Sequence, residues 1–256
     1  MNHSTTFCTS QGKTNERTHG GLPKVHCQTC SLSTLCLPVS LDNQEMNQLD
    51  EIVQKNKPHK KNSFLFEQGE RFENVFVVRA GSIKTYALDE TGQEQITGFY
   101  FPGEFVGLEG LDGSEYPAYA KALETTSVCQ IPFEQLDALS GDIPRLRQQV
   151  FKTLSRHIQD DQQMHRLLSN KTAEERLATF LVKLSQRFKN RGYSATHFRL
   201  SMPRQDIANY LGMAVETVSR VLTRFQKQEL IGVDGKEIEL KQIDALYHLS
   251  GECVGH

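Results

Sequence analysis

The chain has 256 residues, of which 38% are hydrophobic and 23% charged, with a formal net charge of -2 at pH 7. This length suits two modest domains or one large one, and the composition is typical of a globular protein. Because no stretch approaches the ~18 apolar residues of a membrane span, and the polar N-terminus lacks the apolar run of a signal peptide, the sequence predicts a cytoplasmic protein without membrane contact.

Residues 1–24 mix small polar residues without hydrophobic periodicity, which predicts a mobile N-terminal arm. Three cysteines follow within ten residues, and a fourth lies far along the chain: Cys27, Cys30, Cys36 and Cys129. In a cytosolic-looking chain this grouping indicates metal or redox chemistry rather than a disulfide scaffold. Four thiolates suit either a 4Fe-4S cluster or a tetrahedral zinc ion, and the spacing alone does not decide between them.

Two alternatives remain open for the cysteines. Cys129, taken alone, is typical of a buried strand cysteine that acts as a small hydrophobic residue. His26 precedes Cys27 directly and could replace one thiolate as a ligand. Cys8 and Cys253 lie near the two ends of the chain and are predicted not to be ligands.

Residues 25–141 are predicted to form a sensor domain. After a short amphipathic helix, seven apolar runs between Ser63 and Ile131 are separated by glycines about every 10 residues, which predicts an antiparallel β jelly roll. No histidine lies between His59 and His157, so this barrel lacks the histidine-rich set of a catalytic metal site. An enzyme is therefore disfavoured.

Residues 142–169 are predicted to form one long helix. Phe151, Leu154, Ile158 and Asp161 recur at steps of three and four, as in the seam of a two-stranded coiled coil. The alternative is a helix that packs its apolar side only on its own domain. In a dimer, Asp161 would face its symmetry mate, and the repulsion between the two carboxylates would nearly balance the apolar contacts. A change at the cysteine loop, residues 27–36, could then switch dimerisation.

Residues 170–250 are predicted to form a winged helix-turn-helix domain. Helical segments at 204–211 and 215–226 flank Gly212, and a hairpin signal follows at Asp234-Gly235. The last 86 residues contain 13 Lys and Arg against 10 Asp and Glu, a weak positive excess in a chain that is negative overall. This domain is the predicted DNA-binding part.

The second of these helices would place four side chains against base edges in the major groove: Glu216, Thr217, Ser219 and Arg220. Glu216 can accept a hydrogen bond from cytosine N4, and Arg220 can donate two to guanine. Two copies in a dimer would read a palindrome. The alternative is a protein-binding winged helix, in which Glu216 and Arg220 form an ordinary surface pair.

The segments VHCQTCSLSTLCLP, AEERLATFL and VETVSRVL, together with Cys129, closely resemble the FNR regulators, the oxygen-sensing branch of the CRP/FNR transcription factors. The resemblance runs from about Val25 to Leu249. It implies an α+β fold and a bacterial regulator whose Cys27, Cys30, Cys36 and Cys129 bind one oxygen-labile 4Fe-4S cluster per chain. It also implies a cluster-loaded homodimer that binds palindromic promoter DNA and controls anaerobic metabolism.

The resemblance implies a contact with RNA polymerase as well, through the loop Asp89-Glu90-Thr91-Gly92-Gln93, which could equally be a plain hairpin tip. The relatives that sense cyclic AMP hold its phosphate with an Arg-Ser/Thr pair after a proline. Here Pro117 is followed by Ala118-Tyr119-Ala120, so a bound phosphate would be left unpaired and cyclic-nucleotide binding is disfavoured. A second functional hypothesis is a zinc-stapled repressor that is always dimeric.

Overall fold

The computed structural model describes residues 26–251, so the predicted arm at 1–24, Cys8 and Cys253 lie outside the described residues. The helices are α1 (Asn43–Ile52), α2 (Phe133–Asp142), α3 (Pro144–Asn170), α4 (Ala173–Asn190), α5 (Arg204–Tyr210), α6 (Val215–Lys227) and α7 (Ile243–Ser250). The first eight strands are β1 (Gln54–Lys55), β2 (Phe64–Phe66), β3 (Asn74–Ala80), β4 (Ile83–Leu88), β5 (Glu94–Tyr100), β6 (Phe105–Val106), β7 (Tyr119–Ala122) and β8 (Ser127–Pro132). Three more strands belong to the C-terminal domain: β9 (His197–Arg199), β10 (Ile231–Asp234) and β11 (Glu237–Leu240).

The first eight strands form two antiparallel sheets, which confirms the predicted jelly roll. Their strand orders are β1-β8-β3-β6 and β2-β7-β4-β5. The inner faces of the two sheets enclose a core that includes Phe66, Phe76, Val106 and Val128. Each sheet buries one face against the other sheet, so the short apolar runs of the sequence form a β roll of two layers.

Helices α1 and α2 flank the roll. The side chain of Asp42 accepts hydrogen bonds from the first turn of α1, and the Glu45 carboxylate accepts one from the Asp42 N–H. This complete capping box fixes where α1 begins. Helix α2 was not predicted from the sequence. Its Leu136 is buried in a second core with Leu49 of α1, so tertiary packing stabilises this helix despite Gly141 near its end.

The long helix α3 spans 27 residues, close to the predicted range of 142–169. Pro144 occupies its first turn, where the missing N–H removes no intrahelical bond. Its N-terminal half packs through Leu146 and Val150 on the same core as α1 and α2. Within residues 26–251, no helix is long and apolar enough to cross a membrane.

The C-terminal domain has the predicted helix-turn-helix and hairpin, with one shift. Asp234 pairs with Glu237, so the two loop residues are Gly235 and Lys236 rather than the predicted Asp234-Gly235. Gly235 has a φ of 58°, a backbone conformation that glycine adopts without strain at the first loop position of a hairpin. The hairpin is joined by β9, giving the three-stranded order β10-β11-β9.

The C-terminal domain packs against the β4–β5 hairpin of the β roll. The Lys84 Nζ, on a side chain that is only 9% exposed, lies 2.8 Å from Glu94 Oε2 and 3.2 Å from Asp206 Oδ2 of α5. The Asn209 Oδ1 accepts a hydrogen bond from the Ile96 N–H at 2.7 Å. These contacts place the first helix of the helix-turn-helix directly on strand β5.

Candidate metal centre and nucleic-acid interface

The fold brings the four predicted cysteines, Cys27, Cys30, Cys36 and Cys129, to the wall of one cavity of about 40 Å³. Cys129 arrives on β8, where it pairs in register with Val77 of β3 on one side and Lys55 of β1 on the other. The rest of the wall is mostly apolar, with Arg79 and Ser33 as exceptions: Leu32, Leu37, Pro38, Leu49, Val53, Val77, Val78 and Ile131. The distant cysteine therefore shares a site with the loop cysteines.

Helix α1 holds the first turn of the cysteine loop in place. Asp50 accepts a hydrogen bond from the Cys27 N–H at 2.9 Å, and its carboxylate also binds Lys55 at 2.8 Å and His26 at 2.7 Å. The Gln28 amide donates to Asn47 at 2.8 Å. Burial by itself would raise the pKa of Asp50, but these donors lower it to about 2, so the carboxylate is charged at neutral pH.

The cysteine side chains are partly buried. Burial raises the pKa of Cys36 to about 12, and burial also raises the pKa of Cys27 and of Cys129. Each of these three thiols is further affected by at least one other cysteine of the set, which places the four groups within electrostatic reach of one another. Such thiols stay protonated unless a positively charged metal displaces the protons.

The four thiols are suitable donors for a metal centre, and the volume of the cavity is relevant to whether that centre is a 4Fe-4S cluster or a zinc ion. About 40 Å³ holds roughly three water molecules, which is less than a core of four iron and four sulfide atoms needs. Among the described residues, no three Cys, His, Asp or Glu side chains are gathered as closely as a single ion requires. Tetrahedral zinc at about 2.3 Å from each sulfur would need thiolates about 3.8 Å apart. The four thiols therefore supply donors that suit either group, and the cysteine loop would have to move to seat one.

Sequence reasoning missed Asp50 and assigned His26 only as an alternative ligand. The His26 ring is directed to Asp50 and is not part of the cavity wall. A carboxylate that accepts the backbone N–H of a ligand residue acts like the outer partners that orient metal ligands. The signal that could have found it is the polar face of α1, whose Asp50, Asn47 and Asn43 all bind the cysteine loop.

If the four cysteines hold iron, as the family resemblance implies, we expect Asp50→Ala to weaken its retention by about 10- to 100-fold, the usual cost of losing an outer partner of a metal ligand. The physical reason is that the Cys27 N–H loses its acceptor and the first turn of the loop loses its attachment to α1. Iron release to a chelator, followed by absorbance, measures the effect. Asp137→Ala, at an exposed position of α2, is the matched control and should retain iron like the unchanged protein.

The helix-turn-helix places the predicted base-reading residues on the solvent side of α6. Its opposite side is buried through Val218, Val221, Leu222 and Phe225. Glu216 and Arg220 are exposed, whereas Thr217 and Ser219 are partly buried. The Arg220 Nη2 lies 3.3 Å from Thr217 Oγ1, and between these described residues Arg220 makes no ion pair with Glu216. The surface pair of the alternative interpretation is thus not formed.

Three arginine side chains lie around this surface, and each contacts a different partner. The Arg204 Nη1 lies 3.5 Å from Ser219 Oγ, and Arg224 forms an ion pair with Glu174 of α4. Arg176 of α4 binds the turn itself, since its guanidinium donates to the carbonyls of Leu211 at 3.0 Å and Leu168 at 2.7 Å. One arginine therefore joins the end of α3 to the helix-turn-helix.

Helix α3 presents an unpartnered apolar stripe. Phe151 is 62% exposed and Ile158 is 58% exposed, while Leu154 is partly buried against the core that also contacts Cys36 and Cys129. Partial burial raises the pKa of Asp161, with His157 opposing the shift and Glu109 and Asp160 adding to it. The predicted seam residues thus include two large apolar side chains that are exposed to solvent in the single chain.

The loop Asp89-Glu90-Thr91-Gly92-Gln93 joins β4 to β5 and is exposed throughout. The Asp89 carboxylate accepts hydrogen bonds from the Thr91 hydroxyl at 2.6 Å, the Gln93 N–H at 2.9 Å and the Thr91 N–H at 2.8 Å. These bonds lower the pKa of Asp89 and give the loop one defined shape. Such a tip can present a fixed surface to a partner, and its role in polymerase contact stays a prediction.

The position that would hold a cyclic phosphate contains small side chains. Ala118 and Ala120 are buried in the roll around the start of β7, with Tyr119 between them. Alanine offers no hydrogen bond or charge to a phosphate oxygen. The absence of cyclic-nucleotide binding stays a prediction.

Two family models match the chain. A cyclic nucleotide-binding domain matches residues 56–141, and a Crp-like helix-turn-helix domain matches residues 175–249. Among solved structures, FixK2 from Bradyrhizobium japonicum is similar with a TM-score of 0.71 and 29% sequence identity, covering 80% of this chain and 100% of that chain. These matches agree with the β roll and with the helix-turn-helix and hairpin described above.

Full-length relatives are also similar. The transcriptional activator protein anr of Pseudomonas aeruginosa is 57% identical over 230 residues, which is 90% of this chain and 94% of that protein. The fumarate and nitrate reduction regulatory protein of Escherichia coli is 48% identical over 235 residues, 92% of this chain and 94% of that protein. The similarity therefore extends across both domains.

Proposed function

Because the chain belongs to the FNR type of the CRP/FNR transcription regulators, we propose that it is a cytoplasmic, oxygen-responsive regulator of anaerobic genes that acts through a 4Fe-4S cluster. The cluster is held by Cys27, Cys30, Cys36 and Cys129 and promotes dimerisation on palindromic promoter DNA. The observation that carries this proposal is the single cavity lined by all four cysteines.

The cysteine site supports a cluster through its donors and its surroundings. When bound, a 4Fe-4S cluster supplies an oxygen-sensitive group whose stability depends on solvent access. The apolar wall limits water, Asp50 fixes Cys27, and Arg79 and Lys55 place positive charge near Cys129. Four thiolates carry negative charge, so these cations stabilise the loaded site.

The same core supports a link from the site to dimerisation. Cys36, Cys129 and Leu154 pack on one hydrophobic cluster, so a shift of the cysteine loop changes the surface on which α3 rests. Two copies of α3 would cover the exposed Phe151 and Ile158. Each fully buried side chain of this size contributes about 1.5–3 kcal/mol, before the entropy of association is subtracted.

The test is an absorbance spectrum of anaerobically purified protein with iron and sulfide assays, repeated after exposure to air. We expect a straw-brown protein with about four iron and four sulfide per chain that bleaches in air. A colourless protein that contains zinc and binds DNA equally well in air and without it would instead support the zinc-stapled regulator. Iron-free preparations with oxygen-independent DNA binding contradict the proposal.

We expect Arg220→Ala to cost about 1–3 kcal/mol of DNA-binding free energy, or roughly 5- to 150-fold in affinity, and to relax preference at one base pair. The reason is the loss of a side chain that can donate two hydrogen bonds to guanine. The measurement compares binding to a duplex selected from random DNA with binding to its single-base variants. As control, Arg224→Ala should weaken all duplexes alike and reduce the salt dependence, as a phosphate contact does.

A further inference from the structure

The turn that joins β5 to β6 contacts both the cysteine loop and the DNA-binding domain. Gly103 in this turn has a φ of 88°, and a Cβ built on it would lie 3.2 Å from the Cβ of Leu35. Leu35 is the residue directly before Cys36. The cysteine loop therefore lies close to the turn, and a side chain larger than glycine at position 103 would push Leu35 and the turn apart.

The turn is fixed to the strand that borders Cys129. The Gly103 N–H donates to the Val78 carbonyl at 2.8 Å, and the Val78 N–H donates to the Glu104 carbonyl at 3.0 Å. Val78 follows Val77, the register partner of Cys129. The carboxylate of Glu104 also accepts the Phe101 N–H at 2.9 Å, so the side chain is held by its own turn.

From this turn Glu104 reaches the end of α4. Its carboxylate forms ion pairs with Arg187 and Arg191, and the Arg187 Nε donates to Glu104 Oε1 at 2.8 Å. The Arg187 guanidinium also lies 4.7 Å from the centre of the Phe101 ring. Burial by itself raises the pKa of Glu104, but the two guanidinium groups outweigh it and hold the pKa below its ordinary value.

We infer that the turn at 101–104 is the link through which the cysteine loop positions the DNA-binding domain within one chain, with Glu104 as its positioning residue. This link acts inside a single chain and is therefore distinct from dimerisation. Its biological meaning rests on the function proposed above. A movement of Leu35 shifts Gly103, and Glu104 follows with the turn. Helix α4 then moves through Arg187 and through Arg191, which directly follows the helix. Helix α4 carries Arg176, which holds the helix-turn-helix.

The test measures amide hydrogen exchange in the last two turns of α4, residues 184–190, in full-length iron-free protein. We expect Leu35→Gly to speed this exchange about threefold to tenfold, because it removes the Cβ that faces Gly103 and the turn loses its support. In a Glu104→Gln background the same change should add nothing, since the link is already broken. Leu32→Gly is the matched control: Leu32 is a buried leucine of the same loop that lines the cysteine cavity, and its loss should leave α4 unchanged.

Because this experiment uses iron-free protein, its result tests the link independently of the proposed function. Additive effects of Leu35→Gly and Glu104→Gln, or an equal effect of Leu32→Gly, overturn it. A second measurement compares DNA affinity in iron-loaded and iron-free protein. Glu104→Gln should lower the ratio of the two affinities at least fivefold while iron content and dimerisation are retained, whereas a purely structural role would lower both affinities equally.

Discussion

Cys129→Ser is expected to yield protein that is folded but unable to retain iron, and whose DNA binding no longer depends on iron. Serine is close to cysteine in size but is a poor ligand for iron in a thiolate site. We expect iron affinity to fall by more than about 100-fold, beyond what the loss of an outer partner costs. Iron and sulfide assays under anaerobic conditions measure this directly.

The controls for this variant separate chemistry from folding. Burying a hydroxyl in place of a thiol costs about 1–3 kcal/mol, so the change should lower thermal stability without unfolding the roll. Cys8→Ser and Cys253→Ser change residues outside the described range and should keep full iron content. If Cys129→Ser protein still binds about four iron per chain, Cys129 is only a hydrophobic strand residue, as its sequence context alone indicated.

Asp161→Ala is expected to dimerise and bind DNA in air, without iron. Two carboxylates about 4 Å apart repel by about 4 kcal/mol at an effective dielectric of 20, which is similar to the gain from burying Phe151 and Ile158 across a seam. Removing the acid leaves the apolar gain unopposed. We expect the dimer dissociation constant to fall at least tenfold, as measured by sedimentation of iron-free protein in air.

The matched control is Asp160→Ala. Asp160 is the preceding residue and points about 100° away around the helix, so it carries the same charge without facing the seam. It should leave the iron-free protein monomeric. Equal dimerisation of the two variants would mean that net charge, rather than the position of Asp161, opposes pairing, and a monomeric Asp161→Ala protein would refute the repulsion argument altogether.

The sequence was sufficient to predict elements that depend on local patterns. Glycine spacing located the strands of the roll, and the step of three and four residues located α3 close to its ends. The hairpin turn was misplaced by one residue because both Asp234-Gly235 and Gly235-Lys236 satisfy the glycine requirement, and only the pairing of Asp234 with Glu237 decides. Local signals therefore fix an element more firmly than its register.

The contacts between the domains could not be predicted in this way. Lys84 and Asp206 are 122 residues apart, and Glu104 is 83 residues from Arg187, so no local periodicity relates them. The four cysteines line one cavity, as their shared thiol chemistry indicated, and their role as ligands stays a prediction. Asp50 was missed because an aspartate on an exposed helix face has the same appearance whether or not it holds a loop.

The bonds of Arg176 have a consequence for operator architecture. Because this guanidinium fastens the end of α3 to the turn between α5 and α6, a pair of chains joined along α3 would hold its two reading helices at a set separation and angle. One added base pair at the centre of a palindrome lengthens it by about 3.4 Å and rotates one half by about 34°. A rigid dimer would then accept one spacer length and discriminate strongly against its neighbours.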